Sequence, residues 1–248
     1  MMGDSMTNFI INFGKTDLLI LLAMLPSIII GFLIYKKDVM EKEPPRLLLK
    51  LFLFGILSTG IALFLELWAQ KIFPFSLNDG VFNIFFRSFI IISICEETVK
   101  WLFTYCVCWH NKNFNYTYDS IVYFVFISLG FATIENIIAI LSNGFDILLV
   151  IQRGLITVPI HAFFGIIAGY YMGLAKKYEV RRWKRKSKRY LLLSLILPIF
   201  IHGLFDFLLF MSSKISLLIE TMFIVYLYLS SYFKVVKLSK NGKKITRE

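Results

Sequence analysis

The chain has 248 residues, of which 58% are hydrophobic and 17% aromatic, and its formal net charge is +11 at pH 7. A soluble domain of this length would not carry several apolar runs of about 20 residues, so this composition excludes an ordinary soluble protein. It predicts an all-α polytopic membrane protein of the multi-pass type, with one integral-membrane domain over residues 1–248 and the lipid bilayer as its surroundings.

Seven apolar runs are long enough to cross a bilayer as helices. The sequence therefore predicts a bundle of about seven transmembrane helices. Their expected positions are 17–35, 47–69, 82–109, 120–142, 147–174, 190–210 and 214–233. Residues 1–16 lack the basic segment of a cleavable signal peptide, so we expect the first run to be a retained span.

The positive charges predict the orientation of these spans. Most of the 27 Lys and Arg residues lie on the side of the C-terminus, above all between Lys176 and Arg189. The opposite side carries only Lys15, Lys71 and Lys214. Because basic loops stay in the cytoplasm, we expect an outside N-terminus and a cytoplasmic C-terminus. The net charge is then explained by topology and contact with anionic lipid, and we expect no nucleic-acid partner.

The third run contains two adjacent carboxylates and a lysine, Glu96, Glu97 and Lys100. Charged groups are costly in the bilayer interior, so these side chains must face protein or water. Helical spacing places Glu96 and Lys100 on one face, four residues apart, and turns Glu97 about 100° away. Glu96 with Lys100 can be a buried structural ion pair or part of a reactive site, and the spacing leaves both readings open.

Further polar residues lie inside the later runs. Glu135 and Asn136 are in the fourth, Arg153 and His161 in the fifth, and His202 and Asp206, one turn apart, in the sixth. Counted from the helix ends at about 1.5 Å per residue, these groups share a layer from the membrane centre to its outer half. Four helices contributing polar groups at one depth predict a single site that opens to the extracytoplasmic side.

This set of groups is suited to peptide hydrolysis. A buried carboxylate beside a second carboxylate can take a proton from water, and an imidazole or amide N–H can stabilise an oxyanion. Asp206 is placed to orient His202, and Asn136 can add an amide donor. Two histidines and two carboxylates can also hold a divalent ion, so a metal-dependent site stays open as an alternative to a site without a cofactor.

Four short motifs in separate runs carry a family resemblance. They are Glu96-Glu97-x-x-Lys100, Phe131-x-x-x-Glu135-Asn136, His161-x-x-Phe164-Gly165 and His202-x-x-Phe205-Asp206. Together they resemble the PrsW family of intramembrane proteases, related to the CAAX-prenyl-endopeptidase and bacteriocin-processing superfamily. The stretch from Asp38 to Pro44 is similar to the acidic, proline-containing loop of that family.

The resemblance implies a site-1 protease of the bacterial cytoplasmic membrane. Its substrate would be a single-span membrane protein such as an anti-sigma factor, cut on the extracytoplasmic side so that a sigma factor is activated. It implies Glu96 as the base, Glu97 as its partner, and catalytic places for Glu135, His161, His202 and Asp206, with Lys100, Asn136 and Arg153 supporting. Glu135 stands where CAAX-type relatives have a histidine, and Asp206 where they have an asparagine.

Two other functions compete with a protease. Membrane carboxylates and histidines also form the proton relays of transporters and channels. The motif-bearing runs show no internal repeat and no matched pair of broken helices, which disfavours a transporter. The polar layer can also belong to a binding protein that holds a peptide without cutting it.

Overall fold

The computed structural model describes the backbone of residues 2–143, 146–241 and 244–245, and the side chains of 18–143, 146–240 and 244–245. Seven successive helices account for most of the described chain, and this confirms the expected all-α bundle. Their bounds are Met2–Lys37 (α1), Pro45–Ile72 (α2), 81–108 (α3), Asp119–Ser142 (α4), Ile147–Val180 (α5), Lys184–Met211 (α6) and Lys214–Asn241 (α7).

Each predicted span corresponds to one of these helices. Six of them, all except α3, are long and apolar enough to cross a membrane. Helix α3 instead carries Arg87, Glu96, Glu97 and Lys100, and it packs against α2, α4 and α6. The helices run past several predicted ends because basic residues continue them beyond the apolar core, as at the start of α6 in Lys184–Met211.

Helix α4 is the centre of the bundle. In its most apolar segment 61% of the residues are buried, against 22–44% in the other apolar helices. It packs on α1, α2, α3 and α5. Since lipid is as apolar as a leucine side chain, such packing depends on close van der Waals contact between helices.

Glycine allows the closest of these approaches. A methyl group added at Gly55 of α2 would overlap the carbonyl oxygen of Ile127 in α4. A methyl group at Gly169 of α5 would lie 2.5 Å from the Cα atom of Ile121 in α4. Small residues at helix crossings of this kind let two backbones touch, and here they bring both α2 and α5 into close contact with α4.

The basic connections meet at one end of the bundle. The hydroxyl of Ser239, near the end of α7, donates a hydrogen bond to the carbonyl oxygen of Lys37 at the end of α1. The amide of Asn115, which precedes α4, donates to the Glu41 carboxylate in the connection from α1 to α2. These contacts place the connections that we expect in the cytoplasm beside one another.

Two helices contain π-helical segments, Phe86–Ser93 in α3 and Arg153–Thr157 in α5. Such segments are rare and occur often at functional sites, since the wider turn rotates the residues that follow it. The first ends three residues before Glu96, and the second begins at Arg153. Two of the four helices that carry predicted site residues therefore depart from regular α-helix close to a charged residue.

We predict that Gly55→Ala lowers the thermal unfolding temperature of the purified full-length protein, because overpacking at a tight contact costs about 1–3 kcal/mol. Gly60→Ala is the matched control on the same helix, since nothing lies within 4 Å of its added methyl. That control should keep or raise the unfolding temperature, because alanine is favoured over glycine in helices by about 0.5–1 kcal/mol. Equal effects of the two changes would contradict the close contact of α2 with α4.

Candidate active site

Lys100 joins the two adjacent carboxylates of α3. Its Nζ donates a hydrogen bond to Glu97 Oε1 at 2.5 Å and lies 3.4 Å from Glu96 Oε2. The same ammonium lies 4.2 Å from the centre of the Phe131 ring, an arrangement in which the ring face attracts the cation. The lysine was expected to share a face with Glu96 alone. Its closer partner is Glu97, because a long lysine side chain reaches residues three and four positions earlier on a helix.

Helix α6 adds the pair that helical spacing predicted. His202 Nδ1 lies 2.9 Å from Glu97 Oε1, and His202 Nε2 lies 3.3 Å from Asp206 Oδ2. The imidazole also stacks on the Phe164 ring, with 4.7 Å between ring centres. Two carboxylates and an aromatic face therefore fix the orientation of this ring.

Helices α4 and α5 form the second half of the site. Glu135 Oε2 lies 2.7 Å from His161 Nε2, and Glu135 Oε1 accepts a hydrogen bond from an Arg153 Nη atom at 2.7 Å. Arg153 Nε donates to Asn136 Oδ1 at 2.8 Å. Glu135 is partly exposed, with 32% of its side chain accessible, whereas His161 is buried.

The two halves meet at the histidines, whose rings pack edge to face with 5.6 Å between their centres. The structure thus brings all nine residues singled out in the sequence into one continuous network. These are Glu96, Glu97, Lys100, Glu135, Asn136, Arg153, His161, His202 and Asp206.

A cavity of about 250 Å³ lies beside this network. Glu96, Glu135, His161 and Asp206 line it, whereas Glu97 and Lys100 lie behind Glu96 and do not. The cavity extends to residues near the end of α6 and the start of α5, which is the end of the bundle opposite the basic connections. The network therefore separates into groups that face the cavity and groups that support them.

Glu66 of α2 also lines the cavity, although it belongs to none of the four motifs. Its Oε1 is buried and lacks a hydrogen-bond partner among the described residues. Helical spacing could have predicted that Glu66 faces the bundle. Ala62 and Thr59 lie four and seven residues before it, on the same face of α2, and both are small and buried.

The polar network also offers donor atoms that a divalent ion could use. One ligand atom each from Glu96, Glu97 and His161 can lie within 4.8 Å of the others. A carboxylate oxygen only accepts hydrogen bonds, so the Nε2–H group of His161 donates to Glu135. The lone pair of Nδ1 is then available to a metal ion. Nδ1 is buried and has no partner within the described part of the chain. A histidine whose other nitrogen donates to a carboxylate is typical of metal ligands, so these residues fit a metal ion.

A multi-pass membrane fold with carboxylates and histidines around a polar cavity defines the class of intramembrane hydrolases. A family model described as the PrsW family intramembrane metalloprotease matches residues 43–234. The chain belongs to this PrsW family, and it is therefore an intramembrane protease.

Curated relatives agree with this membership. A Protease PrsW from Clostridioides difficile (strain 630) is 34% identical over 93% of this chain and 95% of its own length. Another from Geobacillus kaustophilus (strain HTA426) is 36% identical over 74% of this chain and 76% of its own. A third from Bacillus subtilis (strain 168) is 32% identical over 74% of this chain and 79% of its own length. No solved structure matches the chain significantly.

We predict that Lys100→Met strongly destabilises the protein, because two buried carboxylates then lack their cation. Breaking a buried pair by removing one partner costs about 3–5 kcal/mol. Thermal unfolding of the purified variant measures this loss. Adding Glu97→Gln in the same chain should restore part of the stability, and a double variant no more stable than Lys100→Met would contradict the charge explanation.

Glu179→Gln is the control for Lys100→Met. It breaks an ion pair with Lys176 on the surface of the bundle, at 2.8 Å, in which the glutamate side chain is 38% exposed. Exposed pairs contribute about 0–1 kcal/mol, so this variant should unfold close to the wild-type temperature.

Proposed function

We propose that this protease cleaves a single-span membrane protein on its extracytoplasmic side, with Glu96 as the base that activates water. The support for Glu96 is its position, since it is the member of the Glu96-Glu97-Lys100 set that lines the cavity. A general base must lie within hydrogen-bond reach of the water from which it takes a proton, and only a cavity-facing carboxylate meets that condition.

Glu97 is a positioning residue in this proposal. It accepts the hydrogen bond of Lys100 and contacts His202, so it holds a cation and an imidazole beside Glu96. Asp206 fixes the other nitrogen of His202. The groups around the base therefore have their geometry set before the substrate enters. Such electrostatic preorganisation lowers the activation barrier of the reaction.

Stabilisation of the oxyanion falls to Arg153 rather than to His202. Both ring nitrogens of His202 already face carboxylates, so neither is free to turn toward a new oxygen. Arg153 lines the cavity and uses Nε and one Nη for Asn136 and Glu135, and a guanidinium has further N–H donors. A charged donor of this kind stabilises the negative charge that develops on the scissile carbonyl oxygen.

The position of the cavity supports a cut near the outer membrane surface. The cavity is lined by Arg153 near the start of α5 and by Phe210 near the end of α6, and both helix ends are expected on the outer side. A peptide bond just outside the transmembrane segment of the substrate can reach this depth. A membrane-anchored anti-sigma factor, whose release activates its sigma factor, is the substrate that we propose from the family resemblance.

We predict that Glu96→Gln abolishes cleavage of a single-span substrate by the protease reconstituted in liposomes. Loss of a general base lowers a rate by about 10²–10⁴-fold, and the amide keeps the shape of the side chain while it cannot accept the proton. The change should lower kcat more than it raises KM, as measured with a fluorogenic substrate. Cleavage at an undiminished rate would remove Glu96 from the mechanism.

Glu220→Gln is the matched control for this experiment. Glu220 is a buried carboxylate of α7 within the membrane, but it does not line the cavity. If Glu96 acts as the base, the control should cleave at the wild-type rate. A loss of activity equal to that of Glu96→Gln would indicate a general requirement for membrane carboxylates.

A second candidate mechanism uses a divalent metal ion, and the buried, unpartnered Nδ1 of His161 favours it. Glu96, Glu97 and His161 would hold the ion, which acts as a Lewis acid and activates water when bound. In that case Glu135 orients His161 through its hydrogen bond to Nε2. Lys100 then competes with the ion for the two glutamates, because it contacts both.

A chelator separates the two mechanisms. The carboxylate mechanism without metal predicts an unchanged cleavage rate after EDTA treatment and dialysis. The metal mechanism predicts a loss of at least about tenfold and recovery when Zn²⁺ or Mn²⁺ is added back. Metal content measured by mass spectrometry on the same samples provides a readout apart from activity, and His161→Ala should lower that content only if the metal mechanism holds.

A further inference from the structure

A second group of carboxylates lies at the opposite end of α4 from the cavity. Asp38, Glu43 and Asp119 are all buried, with exposed fractions of 1%, 3% and 0%. One ligand atom from each lies within 4.8 Å of the others. We call these three residues the acidic cluster. Asp119 and Glu135 are sixteen positions apart on α4, or about 24 Å, so the cluster is separate from the catalytic site.

The chain holds the three carboxylates in fixed places. Asp38 directly follows α1, and its backbone N–H donates to the carbonyl oxygen of Tyr35. Glu43 precedes Pro44 and the proline that begins α2. Asp119 is the first residue of α4, and its Oδ2 accepts backbone N–H bonds from the two residues Asn115 and Tyr116 at 2.9 and 2.7 Å. The loop between α1 and α2 therefore meets the start of α4 at these groups.

Several oxygen atoms of the cluster remain without a partner in the described part of the chain. They are both Oδ atoms of Asp38, Oε2 of Glu43 and Oδ1 of Asp119. The hydroxyl of Tyr123 is completely buried and directed at Glu43, and it lies outside normal hydrogen-bond geometry to any described residue. Buried polar atoms are nearly always hydrogen-bonded in folded proteins, so this many unsatisfied oxygens at one place indicate an absent partner.

Among the described residues, the cation whose charge acts on Asp38 is Lys42. Its Nζ donates hydrogen bonds to the carbonyl oxygens of Tyr35 and Lys36 instead. Three buried carboxyl groups therefore lie within reach of one another, while the lysine that acts on Asp38 is bonded to backbone oxygens.

We propose that Asp38, Glu43 and Asp119 bind a hard divalent cation that ties the loop between α1 and α2 to the start of α4. The donors are all oxygen atoms, which Mg²⁺ and Ca²⁺ prefer, whereas softer metals favour nitrogen and sulfur. The Tyr123 hydroxyl is placed to donate a hydrogen bond to Glu43 and fix that ligand. The cluster lies at the end expected in the cytoplasm, so this site and the protease cavity face opposite sides of the membrane.

The test is the thermal unfolding of the purified full-length protein, first stripped with EDTA and then titrated separately with MgCl2, CaCl2 and KCl. A bound cation predicts a saturable rise in unfolding temperature with one divalent salt, of about 5 °C at 100 times the dissociation constant. KCl at equal ionic strength should give no saturable rise. The salt that acts at lower concentration identifies the preferred ion.

Asp38→Asn and Glu43→Gln should each abolish the saturable rise. In EDTA they should unfold at or above the wild-type temperature, because repulsion among the carboxylates is relieved. Glu41→Gln is the matched control: it removes one negative charge from the same loop, but Glu41 is exposed and outside the cluster. This control should keep the full response to the divalent salt.

The proposal is overturned if the divalent salts have no saturable effect, or if Glu41→Gln loses the response as completely as Asp38→Asn. A second measurement on the wild-type protein avoids any dependence on folded variants. Tb³⁺ bound at the cluster should emit after excitation of nearby tyrosines such as Tyr123, and Mg²⁺ or Ca²⁺ should displace it with a single midpoint. Emission that neither ion displaces also contradicts the site.

Discussion

The ammonium of Lys100 between Glu96 and Glu97 is the interaction on which the site depends. Carboxylates within a bilayer are tolerated only when protein compensates them, and a lysine one turn away supplies that charge. Its contact with the Phe131 ring ties the pair to α4, and the contact of Glu97 with His202 ties it to α6. The charge balance of one helix therefore determines how three helices assemble.

Close packing of α4 makes those contacts possible. Glycines at its crossings with α2 and α5 let the backbones approach, so short polar side chains can reach across. His161 of α5 meets Glu135 of α4 at 2.7 Å for this reason. Bulkier residues at the crossings would separate the helices by more than a hydrogen-bond length, and the cavity-facing groups would lose their supporting partners.

The sequence was sufficient for the helices and for the membership of the polar network. Long apolar runs leave few alternatives to membrane helices, and a charge inside such a run must find a partner. It was not sufficient for the preference of Lys100 for Glu97, the π-helical segments or the burial of Glu66. These depend on rotamers and on the rotation of one helix against another, which spacing along a single helix does not determine. The acidic cluster could not be predicted from the sequence either, because Asp38 and Asp119 are far apart in the chain and only the packing of the helices brings them together.

The cavity network, like the acidic cluster, contains more carboxyl groups than fixed cations. Five carboxyl groups surround the cavity network, at Glu66, Glu96, Glu97, Glu135 and Asp206, and the fixed cations among them are Lys100 and Arg153. Protons on the carboxyl groups or histidines, or a bound ion, must compensate the remainder. In the mechanism that we propose, this excess of carboxyl groups over cations leaves a carboxylate of the cavity able to take a proton from water. A closed ion pair has no such carboxylate, because its charge is already compensated by the partner.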